Sequence, residues 1–221
     1  MTLIYALRHA QTKLNGFSAV ALTILGRRLN INQIPEICRA RHSDLKELFF
    51  EHTAFRLPKS ITHEQLETWQ NELTPRGIAQ AKTVGEYLSA LHIHPYFVTS
   101  PSMRAIHTAF IIASTMNLSP SEISIDQPQD FLEEISKYDL NAAFFFTSSL
   151  EAYLHVSKSI IGDRALVVVS HGNILTAFHN YLLPGDPLNF YTNCSLTEAV
   201  YNPHIRIINP HRSISDLVSN S

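Results

Sequence analysis

Apolar positions follow two different periods along this chain. Leu3-Ile4-Tyr5-Ala6-Leu7, Tyr96-Phe97-Val98 and Ala165-Leu166-Val167-Val168-Val169 are continuous apolar runs of strand length. Runs without polar alternation are what strands covered on both faces require. Between them the spacing becomes helical. After Thr74-Pro75, Ile78, Ala81, Val84, Tyr87, Leu88 and Leu91 share one face; after Ser100-Pro101, Met103, Ile106, Phe110 and Ala113 do the same. In both places a hydroxyl residue stands ready to cap and proline takes the first helical position, where its missing N–H costs nothing.

Further along, residues 124–126 read as a short edge strand closed by Pro128, and residues 131–135 as a turn carrying two carboxylates. Residues 139–160 read as a helix, with residues 144–146 packing inward or forming an apolar wall. A helix from Gly172 to about Leu183 is stopped by Pro184-Gly185-Asp186-Pro187. Residues 196–201 and 205–208 complete the strands, and the polar tail after Pro210 is expected to fray. Residues 16–73 differ in character. Ser43 precedes Leu45, Leu48 and Phe49 at helical spacing, and Thr62-His63-Glu64-Gln65 fits a capping box. The alternation predicts one α/β domain over residues 1–221. It would hold a mostly parallel, doubly wound sheet flanked by helices, with residues 16–73 as a helical cap insertion after the first strand.

Composition narrows the function classes. A 221-residue chain with 45% hydrophobic residues can bury a sizeable core, and its net charge of -2 disfavours a general nucleic-acid or anionic-membrane binder. No apolar run approaches membrane-spanning length, and no leader pattern opens the chain. Cys38 and Cys194 show neither metal nor redox spacing, which fits reduced thiols and a cytoplasmic protein. The basic residues Arg27, Arg28, Arg39 and Arg41 read as the solvated face of a helix.

The chemistry sits at strand ends. Arg8-His9 follows the first strand, Arg104 falls in the first turn after the second, and Ser170-His171-Gly172-Asn173 follows the aliphatic strand. A doubly wound sheet brings its carboxyl strand ends to one edge, so these residues converge there. Two guanidiniums, two imidazoles and two helix N-termini make a local anion site in a nearly neutral protein. A neutral imidazole in such a pocket can attack phosphorus, and a carboxylic acid from Glu133-Glu134 can protonate the departing oxygen.

The ordered motifs resemble the histidine phosphatase superfamily, the phosphoglycerate mutase-like fold, in its phosphatase-rich branch. The family's Arg-His-Gly-Glu-Thr-x-x-Asn is matched by Arg8-His9-Ala10-Gln11-Thr12-Lys13-Leu14-Asn15, and Leu-Thr-x-x-Gly-x-x-Gln-Ala by Leu73-Thr74-Pro75-Arg76-Gly77-Ile78-Ala79-Gln80-Ala81. Ser-Pro-x-x-Arg-Ala-x-Gln-Thr-Ala is matched by the run from Ser100 to Ala109, the acid motif by Leu132-Glu133-Glu134-Ile135, and Val-Ser-His-Gly-Asn by the run from Val169 to Asn173. The resemblance implies His9 as a phosphorylated nucleophile, clamped with its phosphoryl group by Arg8, Arg104 and His171. It implies Glu134 as the acid and then base, and Thr12, Asn15 and Asn173 as phosphate or substrate contacts. It implies no cofactor and no metal. The expected partner is a phosphorylated small molecule or a phosphoprotein substrate, with no nucleic acid, no membrane and, at most, a second copy in a homodimer.

Departures from the family pattern are Ala10 for glycine, His107 for glutamine, and Ser136-Lys137-Tyr138-Asp139 where a Gly-x-Trp-Glu-Gly segment often stands. A phosphoglycerate mutase is the alternative enzyme, but the Arg-His-Tyr-Gly run of family mutases is replaced here by Ile135-Ser136-Lys137-Tyr138. The remaining alternative is a non-catalytic phospho-ligand binding protein, which the filled set of competent side chains disfavours.

Overall fold

The structure is a computed structural model, describing residues 1–12, 71–118, 124–125, 129–132, 140–188 and 191–218. Two compact units divide the chain: Met1–Gln11 with Pro75–Ser221, and Thr12–Thr74. The helical cap expected over residues 16–73 falls outside the described residues except at its end, where Leu73 forms an isolated antiparallel bridge with Thr12.

The first unit is built on six strands: β1 (Thr2–Arg8), β2 (Pro95–Thr99), β3 (Ser124–Ile125), β4 (Ala165–Ser170), β5 (Leu196–Tyr201) and β6 (Ile205–Arg212), in the order β3-β2-β4-β1-β5-β6. The four strands β3, β2, β4 and β1 are parallel, while β5 and β6 add on antiparallel. The mostly parallel α/β sheet read from the sequence is therefore present, with an antiparallel extension at one side. β1 lies between β4 and β5, so both rows of its backbone groups are paired and its carboxyl end is held from two sides.

Helices cover both faces. α1 (Pro75–Ala90) and α2 (Met103–Thr115) pack together, with α2 against β2 and β4; α3 (Leu140–Val156) and α5 (Gly172–Leu182) pack together, with α5 against β1 and β6. Strand alternation assigns side chains to the two faces. Ile4, Ala6, Val98, Leu166 and Val168 join Phe146, Leu150, Leu154 and Phe178 in one core. Tyr5, Leu7, Phe97, Val167 and Val169 bury the other face. Among the described residues, no helix is long and apolar enough to cross a membrane. A four-residue helix, α4 (Lys158–Ile161), ends the α3 arm before β4.

Three expectations change. α2 begins at Met103 with Ser102 as its N-cap residue, not at Ser100-Pro101. Its buried face is Arg104, Ala105, Thr108, Ala109 and Ile112 with Ala113, whereas Met103 and Phe110 are about half exposed. Ala105, Thr108, Ala109 and Ala113 are small and let this helix approach the sheet and α1 closely, while Met103 and Phe110 lie off that face. On α3, Phe146 is fully buried while Phe144 and Phe145 are exposed, so the aromatic run is split between core and surface. Nor does the tail fray at Pro210. β6 continues to Arg212, and α6 (Ile214–Val218) docks with Leu217 fully buried.

Candidate active site

β1 delivers Arg8 and His9 at its carboxyl end, beside the end of β4. His9 N–H donates to the Ser170 carbonyl at 3.0 Å, and the imidazole is buried. Its Nδ1 lies 2.8 Å from the Ala10 carbonyl oxygen. A carbonyl can only accept, so Nδ1 carries the proton and Nε2 presents its lone pair. Arg104 Nε donates to that lone pair at 3.3 Å. The ring is thereby held neutral, with its nucleophilic nitrogen aimed at a guanidinium.

The peptide after His9 is gripped at both ends. Its carbonyl accepts from Asn193 Nδ2 at 3.1 Å, and the Ala10 N–H donates to Thr108 Oγ1 at 3.0 Å. Thr108 Oγ1 donates in turn to the Arg104 carbonyl at 2.6 Å, which ties the loop after β1 to the helix bearing the arginine. The approach is close at Gly77 as well. A Cβ built there would lie 2.1 Å from the Gln11 carbonyl oxygen, so only glycine lets α1 start against this loop.

His171 caps the start of α5 in extended conformation and is fully buried. Arg104 Nη2 lies 3.2 Å from its Nδ1, and arginine can only donate. The proton is therefore on Nε2, which donates to Ser100 Oγ at 2.7 Å. Ser100 Oγ also accepts from the Ser102 N–H at 3.1 Å. This explains the late start of α2: Ser100 is occupied with the histidine and the turn ahead of the helix. The two imidazoles meet edge to face, with centroids 5.2 Å apart.

Arg8 completes the edge. Its Nη1 donates to the Tyr191 carbonyl at 2.6 Å, its backbone N–H to Ser195, and its carbonyl accepts from Cys194. Gly172 makes room for it; a Cβ there would come within 3.2 Å of the guanidinium. The start of α5 thus lies directly beside Arg8, and the positive end of the helix dipole favours an anion at the same place.

The electrostatics follow from this crowding. Burial first, then the charges of Arg8, His171 and Arg104, hold the His9 imidazole well below the ordinary histidine range. Burial, followed by Arg104 and Arg8, lowers His171 to about 3. Both rings are neutral at physiological pH. Buried positive charge is costly in a low-dielectric interior, and an anion bearing oxygens that accept from both guanidiniums would offset that cost.

The structure thus brings together four of the residues singled out in the sequence: Arg8, His9, Arg104 and His171. Asn173 is the second residue of α5 and is exposed; Thr12 is buried within the second unit. Asn15 and Glu134 lie outside the described residues. Leu132, the first residue of the acid motif, accepts at its carbonyl from Ser170 Oγ at 2.6 Å, while Gln129 N–H donates to the Thr99 carbonyl. Sequence reasoning missed Asn193, whose side-chain amide holds the His9 carbonyl, and Tyr191, whose carbonyl holds the Arg8 side chain; no local pattern marks either. Ser100 and Thr108 stood inside a quoted motif, but their hydroxyl partners become visible only in the fold. Among the described residues there is no group of three or more His, Cys, Asp or Glu placed to hold a metal ion.

Residues 62–135 match the family model described as "Histidine phosphatase superfamily (branch 1)". No curated protein matches the chain in sequence. Solved structures do match it in fold. The protein histidine phosphatase SixA complexed with tungstate is 14% identical, with a TM-score of 0.56 over 98% of this chain and 99% of that one. A phosphoglycerate mutase from Bacillus anthracis is 15% identical, with a TM-score of 0.58 over 98% and 95%. A mycobacterial glucosyl-3-phosphoglycerate phosphatase in complex with VO3 is 17% identical, with a TM-score of 0.57 over 96% and 100%. At these identities the likeness shows the fold, which is phosphoglycerate mutase-like.

Proposed function

We propose that this chain, carrying a histidine phosphatase superfamily segment in a phosphoglycerate mutase-like fold, is a phosphomonoesterase working through a phosphohistidine on His9. The carrying observation is the state of the imidazole: the Nδ1 N–H donates to the Ala10 carbonyl, Nε2 is unprotonated and faces Arg104, and the ring stays neutral in a buried cationic pocket. Such a nitrogen attacks phosphorus without first losing a proton.

In this reading Nε2 bonds to phosphorus as the bond from phosphorus to the ester oxygen breaks. Arg8 and Arg104 take charge that spreads over the non-bridging oxygens, with His171 and the α5 N-terminus alongside. Glu134 gives its proton to the departing alcohol. It then takes a proton from water, whose oxygen attacks the phosphohistidine, releasing phosphate and restoring His9. Two fixed guanidiniums supply the positive charge that a divalent ion supplies elsewhere, so the reaction needs no metal or cofactor. Thr12, Asn15 and Asn173 contact phosphate or the rest of the substrate, a small phosphorylated metabolite or a phosphoprotein, and the protein works in the cytoplasm. Ile135-Ser136-Lys137-Tyr138, standing where family mutases carry Arg-His-Tyr-Gly, supports a hydrolase over a mutase.

The test is hydrolysis of p-nitrophenyl phosphate in EDTA by wild type and His9→Ala. Turnover in wild type and its loss by at least about a thousandfold in the variant is expected. Equal turnover in both, or none in a folded wild type, overturns the proposal.

A further inference from the structure

We infer that Asn193 is a positioning residue for His9, acting on the peptide that joins His9 to Ala10; this rests on the reading of His9 as nucleophile. That peptide contributes two groups, the His9 carbonyl and the Ala10 N–H, which lie in one plane and point in opposite directions within it. Asn193 Nδ2 takes the carbonyl and Thr108 Oγ1 takes the N–H. With both ends held, the peptide cannot rotate between its neighbours.

The orientation of that plane sets where the next carbonyl lies. The Ala10 carbonyl accepts a hydrogen bond from the Nδ1 N–H and so decides which ring nitrogen is left to attack. Rotation of the peptide would carry the acceptor away from Nδ1. The ring would then lose its fixed tautomer and its aim at Arg104. Asn193 therefore acts on the chemistry indirectly, through the backbone and then the ring.

The segment carrying Asn193 is built for a fixed grip on the nucleophile strand. Its neighbour Cys194 has a φ of +56°, in the left-handed region where a non-glycine side chain is strained. That turn lets the Cys194 N–H bond the Arg8 carbonyl while Ser195 accepts from the Arg8 N–H. Within the same few residues, the Tyr191 carbonyl takes the Arg8 side chain. One segment thus fixes Arg8 by backbone and side chain and His9 by its carbonyl. A loop serving only to enter β5 has no need to reach past Arg8 to the next residue.

The experiment is steady-state kinetics of Asn193→Ala, Asn193→Asp and Thr108→Val, with the double variant, beside wild type and His9→Ala. Removing the amide is expected to lower kcat by about 10- to 100-fold with KM within about twofold, as misplacement of a reacting group does. The aspartate, which sets a carboxylate against a carbonyl, should fall further than alanine. The double variant should lose less than the product of the two single losses, because either deletion already frees the peptide. If Asn193→Ala does not fold, Asn193→Ser is measured in its place. A folded variant with wild-type kcat, a loss confined to thermal stability, or fully multiplicative losses with Thr108→Val overturns the inference. Failure of the His9 reading is separate and shows as wild-type turnover that survives His9→Ala.

Discussion

His171 makes a sharp prediction about stability in acid. The group is fully buried and its pKa is lowered to about 3, with burial as the main cause and Arg104 and Arg8 adding to it. An unfolded histidine titrates near 6.5. Between these values the unfolded chain binds a proton that the folded chain does not, so unfolding is favoured as the pH falls. The sign is that of a depressed base: stability is complete above about 6.5 and is lost progressively down to about 3. From pH 7 to pH 5 the single-site expression gives a loss of about 2 kcal/mol. That is a sizeable share of a domain's net stability of about 5–15 kcal/mol. Urea denaturation in phosphate-free buffer at the two pH values, on wild type and His171→Asn, measures it. His9, His179 and His211 are also lowered and contribute in both proteins. The contribution of His171 is therefore the difference between the two losses. Wild type should lose about 2 kcal/mol more than the variant; equal losses would refute the argument that His171 is held neutral.

Two further outcomes follow from packing. Gly77→Ala places a methyl group against the Gln11 backbone, which cannot swing aside as a flexible side chain would. It should cost about 1–3 kcal/mol in denaturant titration and lower p-nitrophenyl phosphate turnover by displacing the loop after His9. Leu217→Ala should cost about 2–5 kcal/mol, because the side chain is fully buried on α6; a change under about 0.5 kcal/mol would return the C-terminal segment to the frayed tail that its polarity suggests.

Sequence patterning reveals the sheet because β1 and β4 are covered on both faces, so their apolar runs are unbroken and end sharply at polar residues. The same clarity places Arg8, His9 and His171 at one edge. It misleads on α2, where Met103 and Phe110 carry the apolar signal but Ala105, Thr108 and Ala109 carry the contact. Hydropathy counts size, whereas a close helix crossing selects for smallness. Residues 209–212 show the converse: their polar groups extend β6, where Asn209 and Arg212 donate to the buried Glu198 carboxylate. Asn193 left no trace at all, since a side-chain bond to a carbonyl some 180 residues away has no local pattern. Glu134 and Asn15 remain legible only through their motifs.

The place of β1 in the middle of the sheet also governs when the protein can become itself. Residues 2–8 are made well before their ladder partners, residues 166–170 on one side and 196–201 on the other. At about 5–20 residues per second, a ribosome takes roughly 8–30 s to synthesise the nearer partner after the first strand. For that interval the apolar segment Leu3-Ile4-Tyr5-Ala6-Leu7 has neither neighbour, and pairings of such sequence separation close slowly. The residue proposed to attack phosphorus is therefore synthesised well before the strands that set it in place. A nascent chain that stalls before β4 presents an unpaired, sticky strand, which makes residues 2–8 the segment to watch for chaperone capture during synthesis.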